Sequence, residues 1–317
     1  MNGVDLCVDC GWYQAPIAGI LCAMDGRAWV ATQAPNAIVA IDVDDPSRVA
    51  TGLSTDGIVS LGAADRDWFW TAGFDTGRLE CRSHDDGAVT RSVFAVERPT
   101  GMALDNDDVW LSPQRFTEPV TTVSKRSMMV TATRSNEGRV VAATADALWL
   151  GTHAGFDNST LIRVDRATGQ QRVYVSGDNA SPYLFVQDAI WVAGYPQDGI
   201  TILDASGAVR TVLDAPHAWQ MQATDAGVFI LSASSPRVLE RRSWNGDIEQ
   251  SVAVPDAYAM AADRRGIWLA VIHDREVPEV EIVTRDPRSF EELGRAIVPG
   301  RSPRLFPADF NTATSTY

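Results

Sequence analysis

Short apolar runs alternate with polar turns along the whole chain, and one pattern recurs seven times. A turn is followed by an apolar residue, a Trp or Phe, and another apolar residue, except that Thr71 follows the aromatic residue in the second unit. The repeated aromatic residues are Trp29, Trp70, Trp110, Trp149, Trp191, Phe229 and Trp268, spaced 38 to 42 residues apart. A period near 40 residues is typical of proteins in which each repeat forms one supersecondary unit. The pattern therefore predicts seven equivalent units.

Within a unit the apolar segments have the length and composition of β-strands. They are rich in Val, Ile, Leu, Trp and Thr, and turns such as HDDG, DRATG and WNGD separate them. The fourth unit divides into strands over 139–143, 147–152, 159–165 and 171–175, which we label A to D. Only the stretch 289–297 has a pattern that favours a helix, although it overlaps the predicted strand D of the last unit, 293–298.

Four-stranded units at this period predict an all-β fold, a seven-bladed β-propeller with four-stranded antiparallel blades. One large aromatic ring per unit would fill the space between neighbouring blades. Rings of six or eight blades are alternatives, and so is an open solenoid, although solenoids need capping repeats and usually have shorter periods. We expect residues 1–317 to form a single domain. Its ring would be closed by pairing of the N- and C-terminal segments, which hides edge strands.

Composition and charge narrow the classes of partner. The chain carries 41 acidic and 27 basic residues, a formal net charge of -14. Such a surface repels nucleic acid and anionic lipid. With neither a signal peptide nor a long apolar segment, the sequence predicts a soluble, cytoplasmic protein.

Cys22 and Cys81 are expected to be buried small hydrophobic residues, whereas Cys7 and Cys10 form a lone Cys-x-x-Cys that suggests either free thiols or a redox or metal role.

The order of strands sorts the loops onto the two ends of the ring. Loops that join strand D to strand A and strand B to strand C share one end, which we call the mouth. His217 lies in a D-to-A loop, and His153 and His273 lie in B-to-C loops. His84, in a C-to-D turn, belongs to the opposite end. Three histidines are therefore expected at the mouth.

A second count locates the residues that face the central channel. The position 12 residues before the repeated aromatic holds a charged residue or a histidine in four units, and in these units the position two residues further on is polar or aromatic. These two positions hold Arg98, Glu137, His217 and Asp256, and then Thr100, Arg139, Trp219 and Tyr258; Tyr183 lies two residues beyond the second position in the fifth unit. Two interpretations stay open. These residues either line a water-filled channel in which opposite charges pair, or they form a site in which a histidine that can take up a proton near pH 7 lies beside a carboxylate and a tyrosine.

The repeated apolar-Trp-apolar strand, the segment LIRVDRATG at 161–169 and Pro-His-Ala at 216–218 resemble the virginiamycin B lyase (streptogramin lyase) family of seven-bladed propellers. That family opens its ring-shaped substrate by elimination, with a base that removes a proton next to a carbonyl and a Mg²⁺ ion held by acidic residues. The resemblance implies a histidine at His217, which is present. One blade later it implies an acidic residue and a second histidine, where this chain has Asp256 and Tyr258.

The chain departs from the family again after strand B of the last blade, where His273 and Asp274 replace an expected glutamate. With Asp256 as the one clear metal-ligand candidate, Mg²⁺ is a cofactor only by resemblance.

The leading hypothesis is a propeller that binds a small or cyclic peptide-like molecule at the mouth and carries out elimination or related proton transfer. His217 would be the base, and Tyr258 or His273 the acid. The substrate would be bound by Arg98, Glu137, Arg139, His153, Tyr183, Trp219 and Asp256, with Arg98 or Arg139 stabilising an oxyanion. The alternative is a non-catalytic scaffold that docks a protein partner.

Overall fold

In the computed structural model, all regular structure in the described residues is β-strand. The structure describes residues 19–32, 36–115, 118–134, 138–153, 159–177, 183–186, 189–194, 199–215, 218–232, 234–272 and 280–298. Within these ranges there are 28 strands, grouped into seven four-stranded sheets whose neighbouring strands are antiparallel. Each sheet is built from four consecutive strands, and this confirms the predicted all-β, seven-bladed propeller.

The strands follow chain order within each blade. Blade 1 consists of β1 (Gly19–Met24), β2 (Arg27–Thr32), β3 (Ala37–Asp42) and β4 (Asp45–Ser54), and blade 2 consists of β5 (Val59–Ala64), β6 (Phe69–Gly73), β7 (Arg78–Arg82) and β8 (Val89–Phe94). Blade 3 consists of β9 (Pro99–Leu104), β10 (Asp108–Pro113), β11 (Val120–Ser124) and β12 (Val130–Arg134). Blade 4 consists of β13 (Arg139–Ala143), β14 (Ala147–His153), β15 (Ser159–Asp165) and β16 (Gln171–Gly177). Blade 5 consists of β17 (Tyr183–Val186), β18 (Ala189–Ala193), β19 (Ile200–Asp204) and β20 (Val209–Leu213). Blade 6 consists of β21 (Ala218–Thr224), β22 (Gly227–Ser232), β23 (Val238–Arg242) and β24 (Ile248–Ala253). Blade 7 consists of β25 (Ala257–Ala262), β26 (Ile267–Ile272), β27 (Val280–Arg285) and β28 (Glu292–Val298).

The hydrophobic core is divided among the seams, by which we mean the interfaces between neighbouring blades. Seven clusters of buried apolar side chains lie in the described residues, and each joins two neighbouring blades. Every cluster contains one of the repeated aromatic residues, all of which are 5% exposed or less. The repeated ring therefore fills a seam, as the period predicted, and its burial is a main source of stability.

The ring is closed by contacts between the first and last blades. Strand β1 lies against β25, and β4 lies against β28. At the bottom of this seam, the Gly26 N–H donates to Asp263 Oδ2 at 2.6 Å, and Arg265 Nη2 pairs with Asp44 at 2.7 Å. Residues 1–18 and 299–317 lie outside the described residues, so that closure by pairing of the two terminal segments stays a prediction.

The helical leaning of 289–297 is wrong, because most of this segment belongs to strand β28 and pairs antiparallel with β27. Along β28, Ala296 and Val298 are buried while Ile297 between them is exposed, which is the two-residue period of a strand. Pairing with a neighbouring strand and burial of one face outweigh the helix propensity of Glu, Leu and Arg here.

Aspartates in the A-to-B turns link backbone turns, core tryptophans and neighbouring blades. Asp65 accepts hydrogen bonds from the Trp68 N–H at 2.9 Å and Trp70 Nε1 at 3.0 Å, and it pairs with Lys125 Nζ at 2.7 Å. Lys125 comes from the C-to-D turn of the next blade. Burial raises the pKa of the Asp65 carboxyl, but the hydrogen bond and charge of Lys125, together with the two Trp N–H groups, outweigh it and hold the pKa below its ordinary value.

This lowered pKa makes the Asp65 contribution to stability pH-dependent. The contribution is fully present above the unfolded-state pKa of about 4, and it is lost as the pH falls through the lower folded-state pKa. We expect Asp65→Asn to reduce the free energy of unfolding at pH 7 and the difference from wild type to shrink below about pH 4. Urea unfolding over a pH series measures it. Asp67→Asn, an exposed neighbour, is the control, and a pH-independent difference would contradict the assignment.

Two further features of the sequence can be compared with the described residues. Cys22 and Cys81 are buried free thiols, as predicted, while Cys7 and Cys10 lie outside the described residues. No helix in the described ranges is long and apolar enough to cross a membrane.

Candidate functional site

The innermost strand of several blades carries a β-bulge at the end nearest the mouth. In the pairing of strands A and B, one residue of strand A is skipped at Ser60, Thr100, Trp219 and Tyr258. These are the residues ten positions before the repeated aromatic. A bulge bends its strand and re-aims a side chain, and bulges are common next to active sites. The second sequence count therefore marks a structural feature that is shared by blades 2, 3, 6 and 7.

The bulges of blades 6 and 7 are joined directly. Trp219 Nε1 donates a hydrogen bond to the backbone carbonyl of Tyr258, with 2.5 Å between nitrogen and oxygen. One residue further along β21, Gln220 Oε1 accepts from the Met260 N–H at 2.5 Å, and Gln222 Oε1 accepts from the Ala262 N–H. Side chains of β21 thus hold the main chain of β25, and this fixes Trp219 and Tyr258 relative to each other.

Arg237 completes this group from the B-to-C loop of blade 6. Its Cζ lies 4.8 Å from the centre of the Trp219 ring, a cation–π distance. The side chain is half-buried, and burial lowers the pKa of the guanidinium. Its Nη1 is buried and has no hydrogen-bond partner among the described residues. Trp219, Tyr258 and Arg237 therefore form the best-defined group at the mouth, which we call the blade 6–7 cluster.

The predicted site residues of blade 7 occupy two different environments. Tyr258 is 9% exposed, and it packs in the core cluster between blades 7 and 1. Asp256 lies in the turn before β25 and is exposed. The main chain of Tyr258 therefore faces the seam with blade 6, while the side chain contributes to the seam with blade 1.

Arg98 and Arg139 lie in other blades. Arg98 is exposed, with φ at 45°, directly before β9. Arg139 begins β13, is 7% exposed and packs against Gly101 of β9, where an added Cβ would lie 2.5 Å from the Arg139 Cγ. No described contact joins either arginine to the blade 6–7 cluster.

The remaining predicted residues are only partly described or not described. His153 is the last residue of β14 and Tyr183 the first of β17, but only their backbone is described. Glu137, His217 and His273 lie outside the described residues. Their predicted roles stay predictions.

The implied Mg²⁺ finds few ligands among the described residues. They contain no group of three His, Cys, Asp or Glu side chains that could hold a metal ion. Asp256, the one predicted ligand, is an exposed turn residue. A Mg²⁺ site needs several oxygen ligands in octahedral geometry. The described donor set does not fit the ion, and no step below is routed through a metal.

Sequence reasoning missed Arg237 and the two glutamines of β21. Arg237 follows Ser-Ser-Pro in a B-to-C loop, and the same criterion that placed His153 and His273 at the mouth also applies to it. No sequence pattern distinguishes Gln220 and Gln222 from surface residues, because their role depends on the backbone of the next blade.

No protein-family model and no curated protein matches the sequence. Solved structures do match it. A functionally unknown protein from Desulfotomaculum acetoxidans DSM 771 is 11% identical, with a TM-score of 0.65 over 87% of this chain and 99% of that one. Virginiamycin B lyase from Staphylococcus aureus is 16% identical, with a TM-score of 0.57 over 81% and 92%. A dihydro-heme d1 dehydrogenase is 12% identical, with a TM-score of 0.59 over 90% and 75%. At these identities the likeness shows the propeller fold alone.

Proposed function

We propose that this propeller binds a small or cyclic peptide-like molecule at its mouth, over the seam between blades 6 and 7. The observation that carries the proposal is the blade 6–7 cluster, in which two bulged strands place Trp219 beside the main chain of Tyr258 and under Arg237. An aromatic platform with a few fixed polar groups is the usual composition of a small-molecule site. The neighbouring Gln220 contact holds the platform in place before a ligand arrives.

A finer proposal is that the bound molecule undergoes elimination. His217 would remove a proton from the carbon next to a carbonyl, and the electrons of that C–H bond would form a double bond to the adjacent carbon. The bond from that adjacent carbon to the ester oxygen would break, and the leaving oxygen would take a proton from Tyr258 or His273. Arg98 or Arg139 would stabilise the negative charge that develops on the carbonyl oxygen. Two arguments support this assignment: the resemblance to the lyase family, and the position near the mouth that the sequence predicts for these residues.

We expect His217→Ala to lower turnover by about 100-fold or more, the usual contribution of a general base. The assay offers virginiamycin B and a panel of linear and cyclic esters, followed by chromatography and mass spectrometry. Elimination opens a cyclic ester without a change in mass, whereas hydrolysis adds one water. His84→Ala is the matched control, because His84 lies at the opposite end, where its Nε2 forms a hydrogen bond with the Asp65 carbonyl at 2.9 Å.

The outcomes separate the two levels of the proposal. Equal turnover by wild type and His217→Ala would remove the assigned base. Binding of a panel member without turnover would support the proposed binding function and contradict the proposed elimination. If no panel member binds and a protein partner docks instead, the scaffold alternative replaces the proposal.

A further inference from the structure

The half-buried side chain of Arg237 differs from three other arginine side chains that lie at the seams. Arg27, Arg91 and Arg241 each donate from Nη1 to two backbone carbonyls in the C-to-D turn of the next blade. Arg237 has a ring contact with Trp219, and in the described part of the chain its Nη1 meets no acceptor. Burial of a cation without an anionic partner costs stability.

The chain holds Arg237 in this position from both sides. The Arg237 carbonyl accepts the Val254 N–H at 2.8 Å, and the next residue, Val238, donates its N–H to Ser232 Oγ at 2.8 Å. Trp219, which forms the floor under the guanidinium, is fixed by its bond to the Tyr258 carbonyl. The cation is therefore preorganised on an aromatic plane, and it does not owe its position to an ion pair.

We propose that Arg237, stacked on Trp219, binds a single carboxylate group of the ligand. This assignment rests on the proposed function and names the chemical class of its ligand. Stacking on a ring covers a face of the guanidinium and not the N–H donors in its plane. Nη1 is buried, so the edge formed by Nε and Nη2 would bind the two oxygens of a carboxylate. A phosphate would bring about two negative charges to one guanidinium in a protein of net charge -14, so one carboxylate is the better match.

The test follows the indole N–H signal of Trp219 in proton–nitrogen NMR spectra, assigned with Trp219→Phe. Benzoate, benzamide and inorganic phosphate are titrated separately into the full-length protein. Benzoate and benzamide share their shape and differ in charge. We expect benzoate to shift the signal and to saturate, benzamide to bind about tenfold more weakly or worse, and phosphate to bind more weakly than benzoate. Arg237→Gln should weaken benzoate binding by about tenfold or more, the size of a charge-assisted hydrogen bond.

Arg126→Gln is the matched control, because it removes one exposed positive charge from a C-to-D turn at the other end of the ring. It should bind benzoate like wild type. Equal affinity for benzoate and benzamide, tighter binding of phosphate, no benzoate shift, or unchanged binding in Arg237→Gln would each overturn the assignment. In any of these cases, binding or turnover of an uncharged ester by wild type would leave the proposed function standing.

A stability measurement separates ligand binding from a structural role. Because Arg237 makes no described hydrogen bond through its side chain, Arg237→Met should leave the Tm of the free protein unchanged or raise it. Benzoate should raise the Tm of wild type and not of this variant. A fall in Tm of more than about 4 °C in the free variant would show that the guanidinium stabilises the fold, and it would overturn the assignment.

Discussion

Replacement of Asp105 by alanine is expected to lower the free energy of unfolding by about 3–5 kcal/mol, the usual cost of breaking a buried ion pair. Asp105 is 9% exposed. Its Oδ1 accepts the N–H groups of Asp107 and Asp108 at 2.9 and 2.7 Å, and its Oδ2 accepts Trp110 Nε1 at 2.8 Å and Arg166 Nη1 at 2.7 Å. One carboxylate thus accepts hydrogen bonds from the backbone of a turn, from a core tryptophan and from an arginine of the next blade.

The loss arises from the groups left behind. Without Asp105, the partly buried N–H groups of Asp107 and Asp108 and the buried indole N–H of Trp110 lose this acceptor. An unsatisfied donor that is buried costs about 1–3 kcal/mol. Arg166, whose Cζ lies 4.9 Å from the centre of the Trp110 ring, loses its shortest carboxylate contact and keeps those to the Thr144 carbonyl and the more distant Asp108. Urea unfolding of Asp105→Ala measures the effect.

Asp107→Ala is the matched control for Asp105→Ala. Asp107 is exposed in the same turn, and its replacement should change stability by less than about 0.5 kcal/mol. A double-mutant cycle with Arg166→Met should show coupling, because the two side chains contact each other directly. Equal effects of the Asp105 and Asp107 replacements would contradict the role of the carboxylate as a link between blades.

Replacement of Trp268 by alanine should cost about 3–5 kcal/mol, the range for removal of a large aromatic side chain from a core. Trp268 is fully buried in the cluster that joins blade 7 to blade 1, where it packs with residues such as Val30 and Ile41. A cavity at this position weakens the contact that closes the ring. Thermal and urea unfolding of Trp268→Ala measure the loss, and two clearly separated unfolding transitions would show that closure and blade stability are independent.

Trp268→Phe and Trp110→Phe separate ring packing from hydrogen bonding. Trp110 donates to Asp105, but Trp268 Nε1 has no partner among the described residues, because the equivalent Asp263 Oδ2 accepts the Gly26 N–H of blade 1. We expect Trp110→Phe to cost about 1.5–3 kcal/mol more than Trp268→Phe, the value of a hydrogen bond to a charged group. Equal costs in the two variants would contradict this difference.

The sequence by itself determined the architecture. Seven aromatic residues at a period near 40, with four short strands per period, are enough for a seven-bladed propeller, because a strand's periodicity and its turns are encoded locally. The burial of Trp29 through Trp268 in successive seams followed from the same count. The count of positions before each repeated aromatic also assigned Trp219 and Tyr258 to strand A, where the structure has a β-bulge at each of them.

Only the tertiary structure decided which side chains meet. The contact of Trp219 with the Tyr258 carbonyl, the stacking of Arg237 and the bonds from Gln220 join residues that are 18 to 40 positions apart in the chain. Such contacts depend on the rotation of one blade against the next, which no local pattern encodes. The same holds for β28, where pairing with β27 overrode a helical leaning. The repeated strand pattern of the sequence determines the ring of seven blades, and the packing of one blade against the next determines which side chains lie close enough to act together.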